Sequence, residues 1–296
     1  MRAWSRVERK SDQCKGDKVK RVLITGTSGY IGSVLAGQLV QQPDKYEVSR
    51  LDLRNTLPDS EMFFGIDVVV NTVGIAHIRE TTENRGFYFK INRDLAIQTA
   101  KAAKEAGVKQ FIELSSVSVY GVTEGKITKQ TEPKPTTAYG WSKLEADQAL
   151  MLEKSSDFHV AILRPPMVYG KDCRGNYQKL RKFALTSPVF PNFPNERSMV
   201  FVGNLSEFVK RVIDSELEGL FFPQDAQYVS TADMVRRIAL AHEKNIYLTR
   251  VFNPLIRLFP ISVMTKVFGS LTLERTDVVD KFSLSEAIKM SEENQT

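Results

Sequence analysis

The chain is poor in the residues that build disulfide frameworks and zinc sites. Its 296 residues include two cysteines, Cys14 and Cys173, and three histidines. The cysteines stand far apart, with no Cys-x-x-Cys spacing and no cluster of cysteine with histidine. We therefore expect no disulfide framework, no structural zinc and no other metal site. Cys173 stands in a polar stretch without a matched base, so a nucleophilic role is not expected for it.

The chain also lacks a long hydrophobic run. No uninterrupted apolar segment reaches the ~18–20 residues of a spanning helix. The nearest candidate extends from Leu255 to Leu273 and is interrupted by Arg257, Pro260 and Lys266. This pattern indicates a buried or substrate-covering helical segment, and no stable membrane insertion is expected. The first residues contain no apolar core of the kind a signal peptide needs, which favours a cytoplasmic location.

Positive charge is confined to the start of the chain. The formal net charge is +6, and residues 1–21 hold eight Lys or Arg against three Asp or Glu. The remaining residues are therefore close to neutral, and nucleic acid is not an expected partner. We interpret residues 1–20 as a basic, disordered leader, with contact to an anionic surface as the alternative.

Three glycines follow directly on the first apolar strand. Residues 22–24 are typical of a short buried strand, and Gly26, Gly29 and Gly32 follow before an amphipathic helix. These glycines permit a tight turn, close approach of backbone to a pyrophosphate, and close packing of helix on strand. The N-terminus of the helix then faces the phosphates with its N–H groups. The residues of this turn expected to contact a dinucleotide are Gly26, Ser28, Gly29, Tyr30, Ile31 and Gly32.

An acidic residue follows the second predicted strand. Asp52 lies 20 residues after Gly32, the distance at which a carboxylate commonly bonds the adenosine ribose, and Leu53 is expected beside it. The next strand follows so soon that a complete strand–helix–strand unit hardly fits between them. Asp52 is therefore expected either at the ribose or one strand later, near the adenine. A carboxylate at this position favours NAD. Arg50 and Arg54 flank it and could bind a 2′-phosphate, so NADP is not excluded.

Apolar strands alternate with amphipathic helices as far as the strand at 160–163. This alternation predicts an α/β fold in which residues 21–165 form a doubly wound parallel sheet of the Rossmann type. Residues 87–106 and 138–153 are predicted to be helical. The sequence becomes rich in proline and loops after Pro166, which indicates that residues 166–296 mainly form a smaller substrate-binding lobe, interleaved with the first domain.

A tyrosine and a lysine stand one helical turn apart. Tyr139 and Lys143 are separated by four residues at the start of a predicted helix, so both side chains project from one face. An ammonium beside a phenol favours the phenolate. A tyrosine placed in this way can take a proton from an alcohol or give one to a carbonyl.

These motifs together resemble the extended short-chain dehydrogenase/reductase family, and within it the NAD-dependent nucleotide-sugar epimerases and dehydratases. The resemblance rests on Thr25-Gly26-x-x-Gly29-x-x-Gly32, on Ser-Ser-x-x-Val-Tyr-Gly at 115–121, on Tyr139-x-x-x-Lys143 and on Arg164-Pro165-x-x-Val168-Tyr169-Gly170. It implies that Tyr139 is the acid/base, that Lys143 supports it and holds the nicotinamide ribose, and that Ser116 supplies the catalytic hydroxyl. It further implies a homodimer formed through the two predicted helices, a UDP-linked nucleotide-sugar substrate, and a role in polysaccharide biosynthesis.

Two departures from the family pattern bear on the reaction. Sugar 4,6-dehydratases carry Asp-Glu directly after the catalytic hydroxyl, where this chain has Val117 and Ser118, so water elimination is disfavoured. Hexose 4-epimerases often carry Tyr-Phe-Asn after the last strand arginine, where this chain has residues 165–167, Pro-Pro-Met. The missing Asn leaves the identity of the sugar open.

Further contacts are expected around the cofactor and the substrate. The resemblance also implies that Arg197 binds the diphosphate of the sugar nucleotide, a role to which a guanidinium group is well suited. Asn176 and Tyr177 are weaker candidates on the substrate side. The remaining residues expected to contact the cofactor are Val73, Gly74, Asn92 and Pro165.

The main hypothesis is a UDP-hexose 4-epimerase, like UDP-glucose 4-epimerase, that works by transient oxidation and re-reduction at C4 of the sugar. An NAD(P)H-dependent 4-keto-sugar reductase is the alternative, since the missing Asn and the arginines beside Asp52 leave it open. A non-catalytic nucleotide-sensing protein on the same fold is the alternative of another class.

Overall fold

In this computed structural model, residues 19–26, 29–76, 78–258 and 262–293 are described. A six-stranded, wholly parallel sheet forms the centre of the molecule. Its order from one edge to the other is β2 (Tyr46–Leu51), β1 (Lys20–Thr25), β3 (Val68–Asn71), β4 (Gln110–Leu114), β6 (His159–Leu163) and β10 (Gly219–Phe221).

Helices cover both faces of this sheet. One face packs against α1 (Tyr30–Val40) and α6 (Val202–Asp214). The other packs against α3 (Leu95–Glu105) and α4 (Ala138–Glu153). The helix containing α3 begins with α2 (Arg85–Tyr88) and continues through a π-helical stretch, Phe89–Asp94. Strands buried on both faces and flanked by helices are typical of doubly wound folds, so the predicted fold class is confirmed.

The register of the sheet aligns three polar residues in one row. Thr25 of β1 lies opposite Asn71 of β3, and Asn71 lies opposite Glu113 of β4. All three stand at or near the carboxyl ends of their strands, where ligands bind in open α/β sheets. The sheet therefore carries a row of polar side chains directly beneath the expected cofactor cleft.

Only a 3₁₀ turn at Ser60–Phe63 lies between β2 and β3. No strand occurs in residues 52–67, all of which are described. Because β2 pairs directly with β1, Asp52 follows the strand next to the glycine turn. The alternative position of Asp52, after a strand further from β1, therefore does not exist in this fold.

The C-terminal lobe is built from short helices and paired strands. Its core brings together aromatic and aliphatic side chains, including Tyr169, Tyr177 and Phe201. Its helices are α5 (Asn176–Thr186), α7 (Thr231–Ala241), α8 (Asn253–Leu258), α9 (Ser262–Phe268) and α10 (Leu284–Glu292). Four parallel two-stranded ladders pair β7 (Met167–Tyr169) with β9 (Met199–Phe201), β5 (Gly125–Ile127) with β13 (Leu271–Leu273), β8 (Val189–Pro191) with β12 (Tyr247–Thr249), and β11 (Gln224–Asp225) with β14 (Val278–Val279).

The chain crosses between its two parts more than once. Helix α6 and strand β10 come after residue 166, yet they pack on and extend the central sheet. Strand β5 comes before residue 165 and pairs with β13 of the later part. The segment from Leu255 to Leu273 holds α8, α9 and β13, and no helix within the described residues is long and apolar enough to cross a membrane.

Candidate active site

The glycine turn leaves room where side chains would otherwise stand. Gly26 has a φ of +88°, and a Cβ on Gly32 would lie 2.5 Å from the Thr72 hydroxyl oxygen. That hydroxyl donates to the Thr25 carbonyl oxygen, which ties the turn to the end of β1. No described side chain caps the start of α1 at Gly29, so the first-turn N–H groups remain available for an anion. This cradle fits the pyrophosphate of a dinucleotide.

The other predicted residues of the turn lie in different surroundings. Ser28 falls outside the described residues. Tyr30 extends its hydroxyl to Gly170, where a Cβ would clash with it, and burial raises the pKa of Tyr30. Ile31 packs between the sheet core and the core of the C-terminal lobe. The first turn of α1 therefore also joins the two parts of the molecule.

Asp52 is held by the arginine that follows it. The Arg54 side-chain Nε donates to both Asp52 carboxylate oxygens at 2.9 and 3.1 Å. The two side chains are 71% and 37% exposed, so water screens this ion pair. Arg50 donates to the Ser33 hydroxyl of α1, and Leu53 is buried. Two guanidinium groups thus accompany the carboxylate at the expected adenosine end of the cleft.

The loop after β3 is fixed by a buried amide. Asn92 lies in the π-helical stretch and is 0% exposed. Its Oδ1 accepts from the Ile75 N–H at 2.8 Å, while its Nδ2 donates to the Ile75 carbonyl and to the Ser142 hydroxyl. A Cβ on Gly74 would lie 3.2 Å from Asn92 Oδ1. Val73 lies beside the glycine turn, where a Cβ on Gly26 would meet it.

Ser116 caps a short 3₁₀ turn, Val117–Tyr120, at the end of β4. Its Oγ accepts from the Ser118 backbone N–H at 3.1 Å and donates to the Ser118 hydroxyl at 3.1 Å. The start of α4 approaches this turn closely, since a Cβ on Gly140 would lie 2.6 Å from the Ser118 carbonyl oxygen. The segment carrying Ser116 therefore packs against the first turn of the helix carrying Tyr139.

The first turn of α4 is held from two sides. The Thr137 hydroxyl accepts from the Gly140 N–H at 3.1 Å, and the Glu80 carboxylate accepts from the Ala138 N–H at 2.9 Å. The Tyr139 ring contacts the edge of the Tyr88 ring with their centroids 6.3 Å apart. Tyr139 is half-buried, so its phenol group is oriented by its neighbours and keeps access to solvent.

Lys143 is buried beneath the cleft, with two protein acceptors. Its Nζ donates to Glu113 Oε1 at 2.8 Å and to the Leu114 carbonyl at 2.7 Å. Burial disfavours its charge, but Glu113 and Tyr139 outweigh burial and raise the pKa of Lys143. Burial raises the pKa of Glu113, against the opposing influence of Lys143. The spacing of Tyr139 and Lys143 thus brings the two groups into electrostatic contact.

A second buried ion pair lies one helical turn further along α4. Asp147 accepts from the Arg164 Nε at 2.9 Å and from the Ser115 hydroxyl at 2.8 Å. Arg164 also donates to the Tyr120 hydroxyl at 2.8 Å. Pro165 follows directly, is buried, and accepts from the Val117 N–H through its carbonyl. This pair connects the ends of β4 and β6 to α4.

The residues predicted on the substrate side lie in the C-terminal lobe. Arg197 donates to the Gly269 carbonyl at 2.7 Å, and burial lowers the pKa of Arg197. Asn176 is exposed at the start of α5. Tyr177 is 0% exposed and donates its hydroxyl to Glu292, so that hydroxyl is already bound within the lobe. Cys173 is buried, and burial raises the pKa of its thiol.

Sequence reasoning missed Glu113. It stands in a strand where Phe111, Ile112 and Leu114 are all buried. An acidic residue inside an apolar strand of a parallel sheet was the available signal, because a buried carboxylate requires a partner. Glu80, which caps α4 from a loop, carried no comparable signal. No group of three metal-ligating side chains occurs in the described part of the chain.

Comparison with known proteins places this geometry in a family. The model of the NAD dependent epimerase/dehydratase family matches residues 22–207. A UDP-glucose 4-epimerase of Vibrio cholerae is 30% identical over 315 residues, which cover 96% of this chain and 92% of the relative. An N-acetyl-alpha-D-glucosaminyl-diphospho-ditrans,octacis-undecaprenol 4-epimerase of Escherichia coli O157:H7 is 28% identical over 206 residues, which cover 64% of this chain and 62% of the relative.

A solved structure shares the fold. The crystal structure of UDP-glucuronic acid 4-epimerase from Bacillus cereus in complex with NAD superimposes with a TM-score of 0.72 and 18% identity, covering 92% of this chain and 97% of the other. The family and fold predicted from the sequence are both confirmed. With its glycine cradle, its Tyr139–Lys143 pair and these matches, the chain belongs to the NAD dependent epimerase/dehydratase family.

Proposed function

We propose that this protein is an NAD-dependent nucleotide-sugar 4-epimerase that acts on a UDP-hexose. The observation that carries the proposal is that Tyr139 lies half-buried at the start of α4 and that Lys143, one helical turn further along the same helix, is buried and held by Glu113. The 4-epimerase relatives from Vibrio cholerae and Escherichia coli support this reaction. Val117 and Ser118 supply no acid/base pair beside Ser116, which favours redox at a ring alcohol over loss of water.

In this reaction the protein moves one proton at the sugar O4. The Tyr139 phenolate oxygen takes the proton of the 4-hydroxyl and later returns it, so the enzyme ends each cycle unchanged. The Ser116 hydroxyl, held by Ser118, bonds the same sugar oxygen and keeps it in reach of Tyr139. The Lys143 ammonium stabilises the phenolate and holds the nicotinamide ribose. NAD would supply the reversible acceptor for the C4 hydride, and epimerisation requires the 4-keto sugar to turn so that the hydride returns to its other face.

The cofactor is held by groups of the Rossmann half. The glycine cradle and the free N–H groups at the start of α1 bind the pyrophosphate. Asp52 serves the adenosine ribose, and Gly74 and Asn92 border the Lys143 side of the cleft. NAD is the expected cofactor, and Arg50 and Arg54 are the groups that would meet an additional phosphate on the ribose.

The diphosphate of the sugar nucleotide is bound by Arg197. Its guanidinium is partly buried. Glu124 acts on it electrostatically, but within the described residues no carboxylate forms an ion pair with it. A partly buried guanidinium without a paired carboxylate is electrostatically suited to an anionic ligand. Asn176 is the second expected contact on the substrate side.

The active molecule is a cytoplasmic homodimer in this proposal. Four large apolar side chains on the two helices predicted to pair are exposed to solvent, and these are Phe87, Trp141, Met151 and Leu152. Exposed large apolar side chains support a contact with another chain. Analytical ultracentrifugation of the wild type and of Trp141→Glu with Leu152→Glu tests this, and a monomeric wild type would contradict it.

The reaction is tested by incubating the pure protein with UDP-glucose, UDP-galactose and their N-acetylated and uronic-acid counterparts. Formation of the C4 epimer without added reductant is expected. Tyr139→Phe should lower kcat by about 10²–10⁴-fold, because it removes the group that carries the proton. Stoichiometric consumption of reduced nicotinamide with a 4-keto sugar would instead identify a reductase, and full activity of Tyr139→Phe would contradict the assigned acid/base.

A further inference from the structure

Glu113 is an ionisable side chain among the apolar residues at the carboxyl end of β4. Its carboxylate is 0% exposed, and Phe111, Ile112 and Leu114 around it in β4 are buried. Transfer of an unpaired carboxylate into such an interior is strongly unfavourable. The sheet therefore carries Glu113 only because specific partners bind both of its oxygens.

The two oxygens of Glu113 have different partners. Oε1 accepts from Lys143, and Oε2 accepts from the Asn71 amide at 2.5 Å. The Asn71 amide oxygen in turn accepts from the Thr25 hydroxyl at 2.6 Å. These bonds follow the sheet register from β1 through β3 to β4 and end on α4. This chain of hydrogen bonds holds the Glu113 carboxylate in one orientation, and so it fixes the position of the oxygen that binds Lys143.

Lys143 uses two of its three N–H donors on the protein. One bonds Glu113 and one bonds the Leu114 carbonyl, so a single donor remains for the cleft. The Nζ lies next to Gly74, where a Cβ would be 3.5 Å away. The ammonium is thus anchored by the sheet, and one donor remains for the ribose and the reacting oxygen that are expected in the cleft.

We propose that Glu113 is a positioning residue for proton transfer, which anchors the Lys143 ammonium and sets how much of its positive charge acts on Tyr139. This inference rests on the proposed function, because it assigns Glu113 to the same site. Glu113 touches neither sugar nor cofactor, and its effect passes through Lys143.

The charged groups around Lys143 decide the sign of the effect. Three titratable groups face it, Glu113 from β4 and Tyr139 and Asp147 from its own helix. Asp147 is already balanced by Arg164 at 2.9 Å. Neutralising Glu113 therefore removes one negative charge that no other residue replaces. This stabilises the deprotonated forms of all neighbouring groups, so both limbs of the pH profile of kcat should move to lower pH.

Glu113→Gln is the decisive variant. The side-chain oxygen of the new Gln can accept from Lys143. If the Asn71 amide flips, its oxygen accepts from the Gln amide nitrogen and its own nitrogen donates to the Thr25 hydroxyl. The expected result is a kcat about tenfold lower at pH 7, a KM for the sugar nucleotide within about threefold of wild type, and both limbs displaced by about one pH unit or more. A pH profile that superimposes on wild type would overturn the proposal.

Two further variants separate charge from packing. Glu113→Asp retains the charge but is one methylene shorter, so kcat should fall while both limbs stay at the wild-type pH. Displaced limbs in Glu113→Asp would contradict the role of the charge. Glu145→Gln removes a carboxylate from the same helix that pairs with Arg93 at 2.6 Å, and it should leave both limbs in place.

The titration of Lys143 gives a test that does not require turnover. ¹³C-lysine is incorporated biosynthetically, and the Lys143 Cε signal is assigned by its loss in Lys143→Met. The titration midpoint of this signal, at which the ammonium loses its proton, should lie at higher pH in wild type than in Glu113→Gln. Equal midpoints would overturn the role of Glu113. A displaced midpoint in a protein inactive on every UDP-sugar would instead refute the proposed function and leave the hold of Glu113 on Lys143 intact.

Discussion

Two buried glutamates, one in each part of the molecule, have opposite surroundings. Glu113 lies in the central sheet with one cation, Lys143, that borders the cleft. Glu292 lies in the C-terminal lobe, where it accepts from Arg181 at 2.7 Å and contacts His242 at 2.6 Å and the Tyr177 hydroxyl at 2.6 Å. The partners of Glu292 come from α5 and from the end of α7, so its charge joins three helices. The one cationic partner of Glu113 is a side chain of the proposed site, and its second partner is the neutral Asn71 amide.

This difference separates two uses of buried charge. A carboxylate whose bonds all join structural elements stabilises the fold when it is present and leaves several groups unpaired when it is removed. A carboxylate that binds one functional side chain contributes less to the fold and more to the placement of that side chain. Stability and activity should therefore respond differently to changes at the two positions.

Glu292→Ala should give the largest effect on stability. Removal of this carboxylate leaves Arg181, His242 and Tyr177 without their shared partner, and we expect a loss of about 3–5 kcal/mol in the free energy of unfolding. Urea denaturation measures this loss, and kcat per folded molecule should stay within about twofold of wild type, as for changes remote from a site. Glu293→Ala, at the exposed neighbour, is the control; equal stability of the two variants would break the comparison.

Gly32→Ala tests the cofactor cradle with a smaller expected effect. The new Cβ would lie 2.5 Å from the Thr72 hydroxyl oxygen and 3.3 Å from an Ile24 methyl carbon. Overpacking of this kind typically costs about 1–3 kcal/mol, and the displaced turn should also bind NAD more weakly. Calorimetric NAD titration and thermal unfolding measure both effects. Gly37→Ala in the same helix meets nothing within 4 Å and should be neutral or slightly stabilising; equal behaviour of the two would refute the close approach.

Asp225→Asn is expected to have the smallest effect, and it extends the comparison to a partly buried carboxylate with no ion pair among the described residues. It accepts from Tyr169, Asn204 and the Phe201 N–H. Burial, opposed by these bonds, raises the pKa of Asp225 to about 6. The folded protein therefore binds this proton more tightly than the unfolded chain, and the contribution of Asp225 to stability rises as pH falls through 6.

Thermal unfolding of wild type and Asp225→Asn at pH 7, 6 and 5 measures this dependence. The stability of wild type relative to the variant should increase by about 1 kcal/mol between pH 7 and pH 5. A difference that is constant with pH would show that Asp225 does not titrate in this range.

The sequence predicted the local parts of the fold and of the site. The glycine turn and the spacing of Tyr139 and Lys143 depend on residues close together in the chain, and short-range geometry decides them. The strands of the sheet were recognisable where apolar runs were long. Strand β10 was missed because its three residues form a strand only by pairing with β6.

The long-range part of the site was not predictable in the same way. Glu113 and Lys143 are 30 residues apart, and only the packing of α4 over β4 brings them together. Asp52 could be assigned to its strand only once the direct pairing of β2 with β1 was known. Both depend on which elements become neighbours, and local sequence preference does not specify that.

The π-helical stretch at Phe89–Asp94 determines where this helix can gain or lose a residue. A π turn holds about one residue more than an α-helical turn, so it absorbs a surplus residue while the helix before it and the helix after it stay close to the phase of one continuous α-helix. Before it, Tyr88 is turned towards Tyr139, and after it Ala100 and Ala103 are turned into the sheet core. Deleting one residue within this stretch would restore a regular helix and leave both parts close to their present orientation, whereas deleting one residue from α3 would rotate the residues after it by about 100°. The π stretch is therefore the point at which this helix can lose a residue while the Tyr88–Tyr139 contact and the packing of Ala100 and Ala103 on the sheet are both retained.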